Sequence, residues 1–468
     1  MTTPTSAPSR QLSLFDSTNI IVGIIIGVGI YQMAPNIASG AGTMGHWIAP
    51  WFPFLSEEAV NRLAVLLFWV IGGLISLFGA LGYAELGAAF PRAGGDYVYL
   101  SRAYGKWAGY LFGWVQLSIV KPGDIAVMAF AFATYAIRAG NPSAGDAQAS
   151  ETGKVLAAGA VLFFTAMNIV GVRQGKWTQN LLTVVKALGL LIIAIVAFTA
   201  RESSAAPAPK EHFPLMTAMV FVLFTYGGWN EMAYVAAEVK DPRRNIARAL
   251  VLGTLAVIVF YLLLNTAFLH VLGYNGVASS EAVATDVVAK VFPAYAGQAI
   301  SLLICISALG VVNGLIFTGA RISYALGQEH PTFRPLGLWN SKTGTPIWAL
   351  LLQGTIAMAM ILLTDYIGAL IYVSVAVYLF YLATSAAVIV LRFREPQADR
   401  PYKVTGFPIP TLIFCVVCGY LIYSCIQYAL WKFPNALLVM AGTFLFGVVL
   451  LIADVSICRV RQKLEETK

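Results

Sequence analysis

The stretch Ile20-Ile-Val-Gly-Ile-Ile-Ile-Gly-Val-Gly-Ile-Tyr31 belongs to a membrane-length apolar run, yet glycines sit at 23, 27 and 29 in its middle. A second stretch, Phe221-Val-Leu-Phe-Thr-Tyr-Gly-Gly-Trp-Asn-Glu231, puts Gly227-Gly228 at mid-run and follows them at once with polar Asn230 and Glu231. Glycine inside a helix costs about 1 kcal/mol against alanine. In hydrocarbon, unwound backbone survives only where it lines a cavity or is buried in protein. Close helix packing is the plainer reading of Gly23-x-x-x-Gly27, as it is for Gly105, Gly109 and Gly113 on the third apolar run. It suffices for the third run. It does not explain two interruptions at matching depth, five runs apart, which point to an inverted-repeat transporter with a site at mid-membrane.

The rest of the chain agrees. Of 468 residues, 11% are charged, against roughly a quarter in soluble domains. Hydrophobic types make up 59% and the mean hydropathy is +0.75. This excludes a soluble enzyme, a nucleic-acid module and a disordered chain, and predicts an all-α polytopic membrane protein. Twelve apolar runs follow, at about 18–41, 62–89, 107–137, 155–172, 178–199, 214–237, 246–272, 296–326, 346–363, 366–391, 408–430 and 434–457. Thr364 and Asp365 mark the turn between the ninth and the tenth. With the N-terminus inside, inner segments hold 21 of the 30 Lys and Arg and outer segments 7. The bias predicts twelve spans with both ends cytoplasmic, and it accounts for the net charge of +8 without nucleic acid. The domain reading is a disordered tail (1–17), spans one to five (18–199), six to ten (214–392), eleven and twelve (405–458), and a cytoplasmic tail (459–468).

The chemistry follows from the breaks. Past Gly29 a new half-helix begins, and its free N–H groups at Val28 and Gly29 favour a carboxylate. Half-helices ending near Ile25 and Phe224 expose carbonyls that suit an ammonium group. A gap with both kinds of group fits a zwitterion, and an α-amino acid is the obvious candidate.

At these residues the chain resembles the amino acid–polyamine–organocation superfamily, and within it the L-amino-acid transporter branch. Gly27-Val28-Gly29-Ile30-Tyr31 is similar to the family's G-S-G-I-F, and Tyr226-Gly-Gly-Trp-Asn230 matches its Y-G-G-W-N. Glu238 and Asp241-Pro-Arg-Arg-Asn-Ile246, Phe90-Pro-Arg-Ala-Gly-Gly-Asp-Tyr97, Asn313-Gly-Leu-Ile-Phe-Thr318 and Arg400-Pro-Tyr-Lys403 have counterparts in the same order. The resemblance spans nearly all of 15–404. It implies a five-plus-five inverted repeat with two further C-terminal helices. It implies amine contacts at the carbonyls of Ile25, Phe224 and Gly227, carboxylate contacts at the amides of Val28 and Gly29 beside Gly27, and Trp229 and Asn230 as site or gate residues. Trp229 is read as part of an outer gate. Val28 replaces the family's serine, so a hydroxyl contact is lost while the amide remains. Some relatives that accept cationic amino acids carry an acid where Gly227 stands, and its absence here points to neutral substrates. No cysteine lies between Arg138 and Lys154, so no disulfide-linked heavy chain is expected.

Ionisable residues inside spans are costly and functional by default. Lys186 lies ten residues from Lys176, about 15 Å of helix and too deep to snorkel. The resemblance puts this lysine where a sodium ion tethers helix one to helix eight in sodium-driven relatives, with Gly23 carbonyl and Ser307 as partners. Lys121 and Asp124, three apart at Pro122, are read as a structural ion pair, and the direction of Glu231 is open. Cys415-x-x-Cys418 has no second pair and reads as packing. No H-E-x-x-H or G-x-S-x-G motif and no filter repeat occurs, which argues against a membrane enzyme or a channel. No metal or cofactor is implied. The expectation is a sodium-independent amino-acid transporter of the plasma or inner membrane, with a polyamine or other organic amine as the competing substrate.

Overall fold

The computed structural model describes residues 8–141, 150–201, 214–363, 366–432 and 434–466. Among them every regular element is helical, and only two isolated β-bridges occur. The helices run in order: α1 (Leu14–Ile25), α2 (Gly29–Gln32), α3 (Ala34–Ile48), α4 (Glu57–Ala89), α5 (Asp96–Tyr104), α6 (Lys106–Val115) and α7 (Lys121–Gly140). Then follow α8 (Glu151–Val170), α9 (Val172–Thr199), α10 (Leu215–Thr225), α11 (Glu231–Tyr234), α12 (Pro242–Ser279) and α13 (Val283–Ala289). The last are α14 (Ala296–Glu329), α15 (Ile347–Leu363), α16 (Tyr366–Arg394), α17 (Ile409–Lys432) and α18 (Pro434–Glu466). Ten segments are long and apolar enough to cross a membrane by length and composition. Two shorter apolar helices, α10 and α15, fall on the sixth and ninth expected runs. The proposed turn at Thr364-Asp365 lies outside the described residues.

The N-terminal boundary differs from the expectation of a disordered tail over 1–17. The chain is docked by residue 11: Gln11 and Leu12 N–H both approach Glu238 O at 2.8 Å, and Lys240 N–H donates to Leu12 O at 2.8 Å. Leu12 is fully buried. Ser13 and Asp16 form a reciprocal capping box that starts α1 four residues early. A Ser-x-x-Asp signal was present in the sequence, but the burial that anchors it comes from the distant Glu238–Lys240 segment.

The third span is not uniform. A single π-helical turn, Gln116–Val120, joins α6 to α7. Pro122 lacks the N–H that would bond the carbonyl of Ser118, so the ladder slips by one residue there. The Ser118 hydroxyl separately donates to Trp114 O, at 2.7 Å. Of the Gly105, Gly109 and Gly113 stripe, the last two serve packing, with a Cβ at Gly109 lying 1.8 Å from Ser101 Oγ on α5 and one at Gly113 lying 3.1 Å from Leu326, whereas Gly105 is the turn residue between α5 and α6, at φ +108°.

The face that carries the N-terminal segment is held by charge pairs on buried or half-buried groups. Arg321 forks onto Glu238 at 2.7 and 3.2 Å, with both side chains essentially inaccessible. Arg392 forks onto Glu85 at 2.9 and 2.5 Å, and Val404 N–H donates to the same carboxylate at 2.7 Å. Bidentate arginine–carboxylate pairs are the strong, geometrically exacting kind. Removing one partner of a buried pair strands the other charge, at a cost of about 3–5 kcal/mol. Arg321→Ala therefore lowers the melting temperature of the detergent-purified protein, and Arg321→Lys lowers it less; a melting temperature equal to wild type in the alanine variant would count against this role for the pair.

Candidate functional site

Both interruptions are real breaks, and they touch. The first leaves helical geometry at Ile26 (ψ 80°), and α2 starts at Gly29. Only Met33, itself in the αR region, separates α2 from α3, so the new helix continues to Ile48. In the second, α10 ends at Thr225 and α11 begins at Glu231. Gly228 there has φ +107°, and a Cβ on it would sit 2.8 Å from Ile24 Cγ2 of the first break. Only glycine meets both conditions.

Between the breaks lies a cavity of about 140 Å³. At one water per roughly 10–15 Å³ of such volume, it has room for a molecule of amino-acid size. Ile25, Gly27, Val28, Gly29, Phe224, Gly227 and Asn230 all line it, as do Lys121, Asp124 and Glu231. No acceptor among the described residues takes the N–H groups of Val28 or Gly29. On the carbonyl side the groups differ. Ile25 O already accepts from Gly27 N–H at 2.8 Å and lies 3.0 Å from the Tyr261 hydroxyl. Phe224 O accepts from Gly227 N–H at 3.0 Å and is also approached by Tyr226 N–H. The carbonyls of Gly27 and Gly227 have no donor among the described residues. An unmet buried backbone group costs about 1–3 kcal/mol, and this lining can hold a ligand with both an anionic and a cationic end.

Lys186 lies behind the cavity rather than in it. Its ammonium donates to Gly23 O at 2.7 Å, Ile26 O at 2.9 Å and Ser307 O at 3.1 Å. The contact at Ser307 is the backbone carbonyl, not the hydroxyl. One buried charge thus joins α9, the broken end of α1 and α14. Thr183, one turn earlier on α9, adds a hydrogen bond to Asn19 O at 3.1 Å.

Two sequence readings are corrected. Lys121 does not pair with Asp124. Its ammonium is hydrogen-bonded to Glu231 Oε1 and lies 5.0 Å above the Tyr234 ring. Glu231 Oε2 is 2.6 Å from the Thr318 hydroxyl. The π-turn re-aims the residues around Pro122, and α11 swings Glu231 inward; neither was visible in spacing along one helix. Trp229, read as an outer-gate or site residue, is not part of the cavity wall. It lies on the side of the break that leads to the Leu12–Val239 bridge, the face expected to be cytoplasmic. There it stacks on Tyr381 (centroids 5.4 Å, 25°) and meets Tyr83 and Phe414 edge-on at 4.9 and 5.8 Å. Asn230 completes this plug: its amide donates to Tyr234 Oη and its carbonyl accepts from Tyr381 O–H, both at 2.7 Å. A second aromatic cluster of Trp69, Tyr226 and Tyr261 packs beside the breaks.

Sequence reasoning missed Tyr261. Its hydroxyl reaches both Ile25 O (3.0 Å) and Thr225 O (3.1 Å), bridging the two broken ends. No local signal marks one tyrosine in an apolar helix. It also missed Gln116, whose side chain enters the cavity wall from the π-turn.

A model of the family described as "Amino acid permease" matches residues 12–453. The chain belongs to that family. As a member of the amino acid–polyamine–organocation superfamily, this permease is a transporter and not an enzyme. It is 30% identical over 451 residues to the b(0,+)-type amino acid transporter 1 of Mus musculus, covering 94% of this chain and 88% of that one. It is 31% identical over 454 residues to the Large neutral amino acids transporter small subunit 2 of Mus musculus, covering 94% and 80%. The human b(0,+)-type protein is similar at 30% over 454 residues. Much of the stretch between Arg138 and Lys154, where no heavy-chain cysteine was expected, lies outside the described residues.

Replacing Lys186 by alanine strands three carbonyls at the hinge of α1. The Lys186→Ala permease should remain monodisperse in detergent yet lose about 100-fold or more of its transport activity, equivalent to roughly 3 kcal/mol. Full transport activity in that variant would remove the tether role. Tyr261→Phe frees the carbonyls of Ile25 and Thr225, and a changed KM for substrate in that variant is the expected reading.

Proposed function

We propose that this permease is a sodium-independent secondary transporter of α-amino acids, working by alternating access around the cavity between the two breaks. The observation that carries the reading is the pairing, in one small cavity, of unclaimed N–H groups at Val28 and Gly29 with unclaimed carbonyls at Gly27 and Gly227. The substrate carboxylate binds the amides, where the positive end of the α2–α3 helix reinforces them. Its ammonium binds the carbonyls of Gly227 and Phe224. Ile25 joins this set only when the Tyr261 hydroxyl moves away. The mostly apolar wall of Ile24, Val120, Val311 and Leu315 suits a neutral side chain.

Sodium independence rests on Lys186. A fixed ammonium ringed by the carbonyls of Gly23, Ile26 and Ser307 occupies the point where a sodium ion would have to bind. Two cations cannot share three ligands in a low dielectric. The Trp229–Tyr83–Tyr381 plug acts as the gate on the basic face, so opening there requires Asn230 to release Tyr381. Twelve spans in a five-plus-five inverted repeat plus two helices, with both termini cytoplasmic in a plasma or inner membrane, complete the proposal. Exchange, uniport and proton symport share this geometry.

Purified permease in liposomes preloaded with amino acid should take up labelled amino acid to the same extent in sodium and in choline buffer. Amino acids, but not polyamines, should raise its melting temperature. Uptake that needs sodium, or stabilisation by polyamines alone, would overturn the proposal.

A further inference from the structure

The turn between α4 and α5 delivers a carboxyl group to the cavity. Gly94 (φ +95°) and Gly95 (φ +47°) press the chain against α11, where a Cβ on Gly95 would lie 2.9 Å from the carbonyl carbon of Ala233. Gly94 N–H donates to Tyr234 O at 3.0 Å, which ties the turn to α11. Asp96 follows as the first residue of α5. It is 1% exposed and lines the cavity, and neither of its carboxyl oxygens has a hydrogen-bond partner among the described residues. Donors nearby are unused. The buried hydroxyls of Tyr83 on α4, Tyr99 on α5 and Thr384 on α16 have no partner among the described residues either. Tyr234 Oη accepts from Asn230 and keeps its own proton to give. Of these hydroxyls, those of Thr384, Tyr83 and Tyr234 face Asp96 and would steady its charged form. The charged groups around it are otherwise engaged or repulsive. Lys121 on α7 is held by Glu231 and the Tyr234 ring, and Glu231 itself opposes a second negative charge. Arg321 on α14 is committed to Glu238, and Arg392 on α16 to Glu85. Asp124, Tyr378 and Tyr381 are the further titratable groups of α7 and α16 on the cavity wall. A buried carboxyl without a cation favours its neutral acid, and burial pushes Asp96 up to about 6.

We propose that Asp96 is a proton-binding site that governs the aromatic plug, so that a bound proton favours opening and its loss favours closure. This rests on the reading of the Trp229–Tyr83–Tyr381 cluster as the gate on the basic face. Tyr83 belongs to both assemblies: its ring meets Trp229 edge-on at 4.9 Å, while its hydroxyl faces Asp96. Thr384 lies one turn beyond Tyr381 on α16, and Tyr234 holds Asn230, which in turn holds Tyr381. Once charged, Asp96 draws the hydroxyls of Tyr83, Thr384 and Tyr234 together, because a buried carboxylate needs every donor within reach. Those hydroxyls come from α4, α16 and α11, the elements that must separate for the plug to open. The neutral acid makes fewer and weaker bonds and lets them part.

The test reads the plug and transport separately on the full-length permease. Deuterium uptake of the Trp229–Tyr234 segment, corrected for the intrinsic effect of pH, is followed in detergent between pH 5 and 8. Uptake of labelled alanine into liposomes preloaded with alanine is followed over the same range, with equal pH inside and out. In wild type the opening of the segment should rise about fivefold as the pH falls through the range, and alanine uptake should rise with it. Asp96→Asn, which fixes the neutral state, should hold the segment at its low-pH level throughout, whereas Asp96→Glu should keep a titrating profile. Thr384→Val removes a donor to the charged form and should move the midpoint to higher pH; it supplies the reading if the asparagine variant does not fold. A wild-type segment indifferent to pH, an asparagine variant that titrates like wild type, or an unmoved midpoint in Thr384→Val would overturn the proton site. Failure of the gate reading is distinct: the segment would then follow pH and Asp96 while alanine uptake did not.

Discussion

In hydrocarbon every backbone N–H and C=O must find a partner inside the protein. The two broken spans are the places where this chain leaves that requirement unmet, and the rest of the structure is arranged around them. Lys186 satisfies three carbonyls at the hinge of α1 with one ammonium. Tyr261 bridges Ile25 and Thr225. Gly228 lets Ile24 approach closely enough that the two breaks share one cavity. What remains unclaimed after these devices is a small set of donors at Val28 and Gly29 and acceptors at Gly27 and Gly227. The ligand chemistry is the remainder of that accounting.

A second set of constraints comes from buried charge. Arg321 with Glu238, and Arg392 with Glu85, close the basic face by bidentate contacts that leave few alternatives. The Lys121–Glu231 pair works differently. It ties α7 to α11, an element only four residues long whose position depends on the break just before it. Moving α11 during gating would alter that pair, and with it the charge facing Asp124. The cavity wall and the aromatic plug are therefore neighbours in one network of Lys121, Glu231, Tyr234, Asn230 and Tyr381.

The breaks were legible because glycine doublets and polar residues in an apolar run have no other economical explanation. Lys186 was legible because ten residues of helix put it beyond the reach of either surface. The pairing of Lys121 was not. Residues three apart on a regular helix share a face, but Pro122 forces a π-turn that changes what that face meets, and Glu231 lies 110 positions away. Tyr261 left no trace because its role is a single hydroxyl placed by packing. Trp229 was recognised as important and read as a site or outer-gate residue, whereas it packs among Tyr83, Tyr381 and Phe414 outside the cavity wall, since the chain direction through an unwound segment decides which flank a residue joins.

The sequence by itself determined the membrane environment, the approximate spans, the two breaks and the kind of backbone groups those breaks expose. Each of these depends on composition or on local helix periodicity, which act over a few turns. Only the tertiary structure decided which exposed groups stay free, which carboxylate Lys121 claims and which is left facing the cavity. Those outcomes depend on distances between helices far apart in the chain, and a hydrogen bond or ion pair is made or lost within an ångström of such a distance.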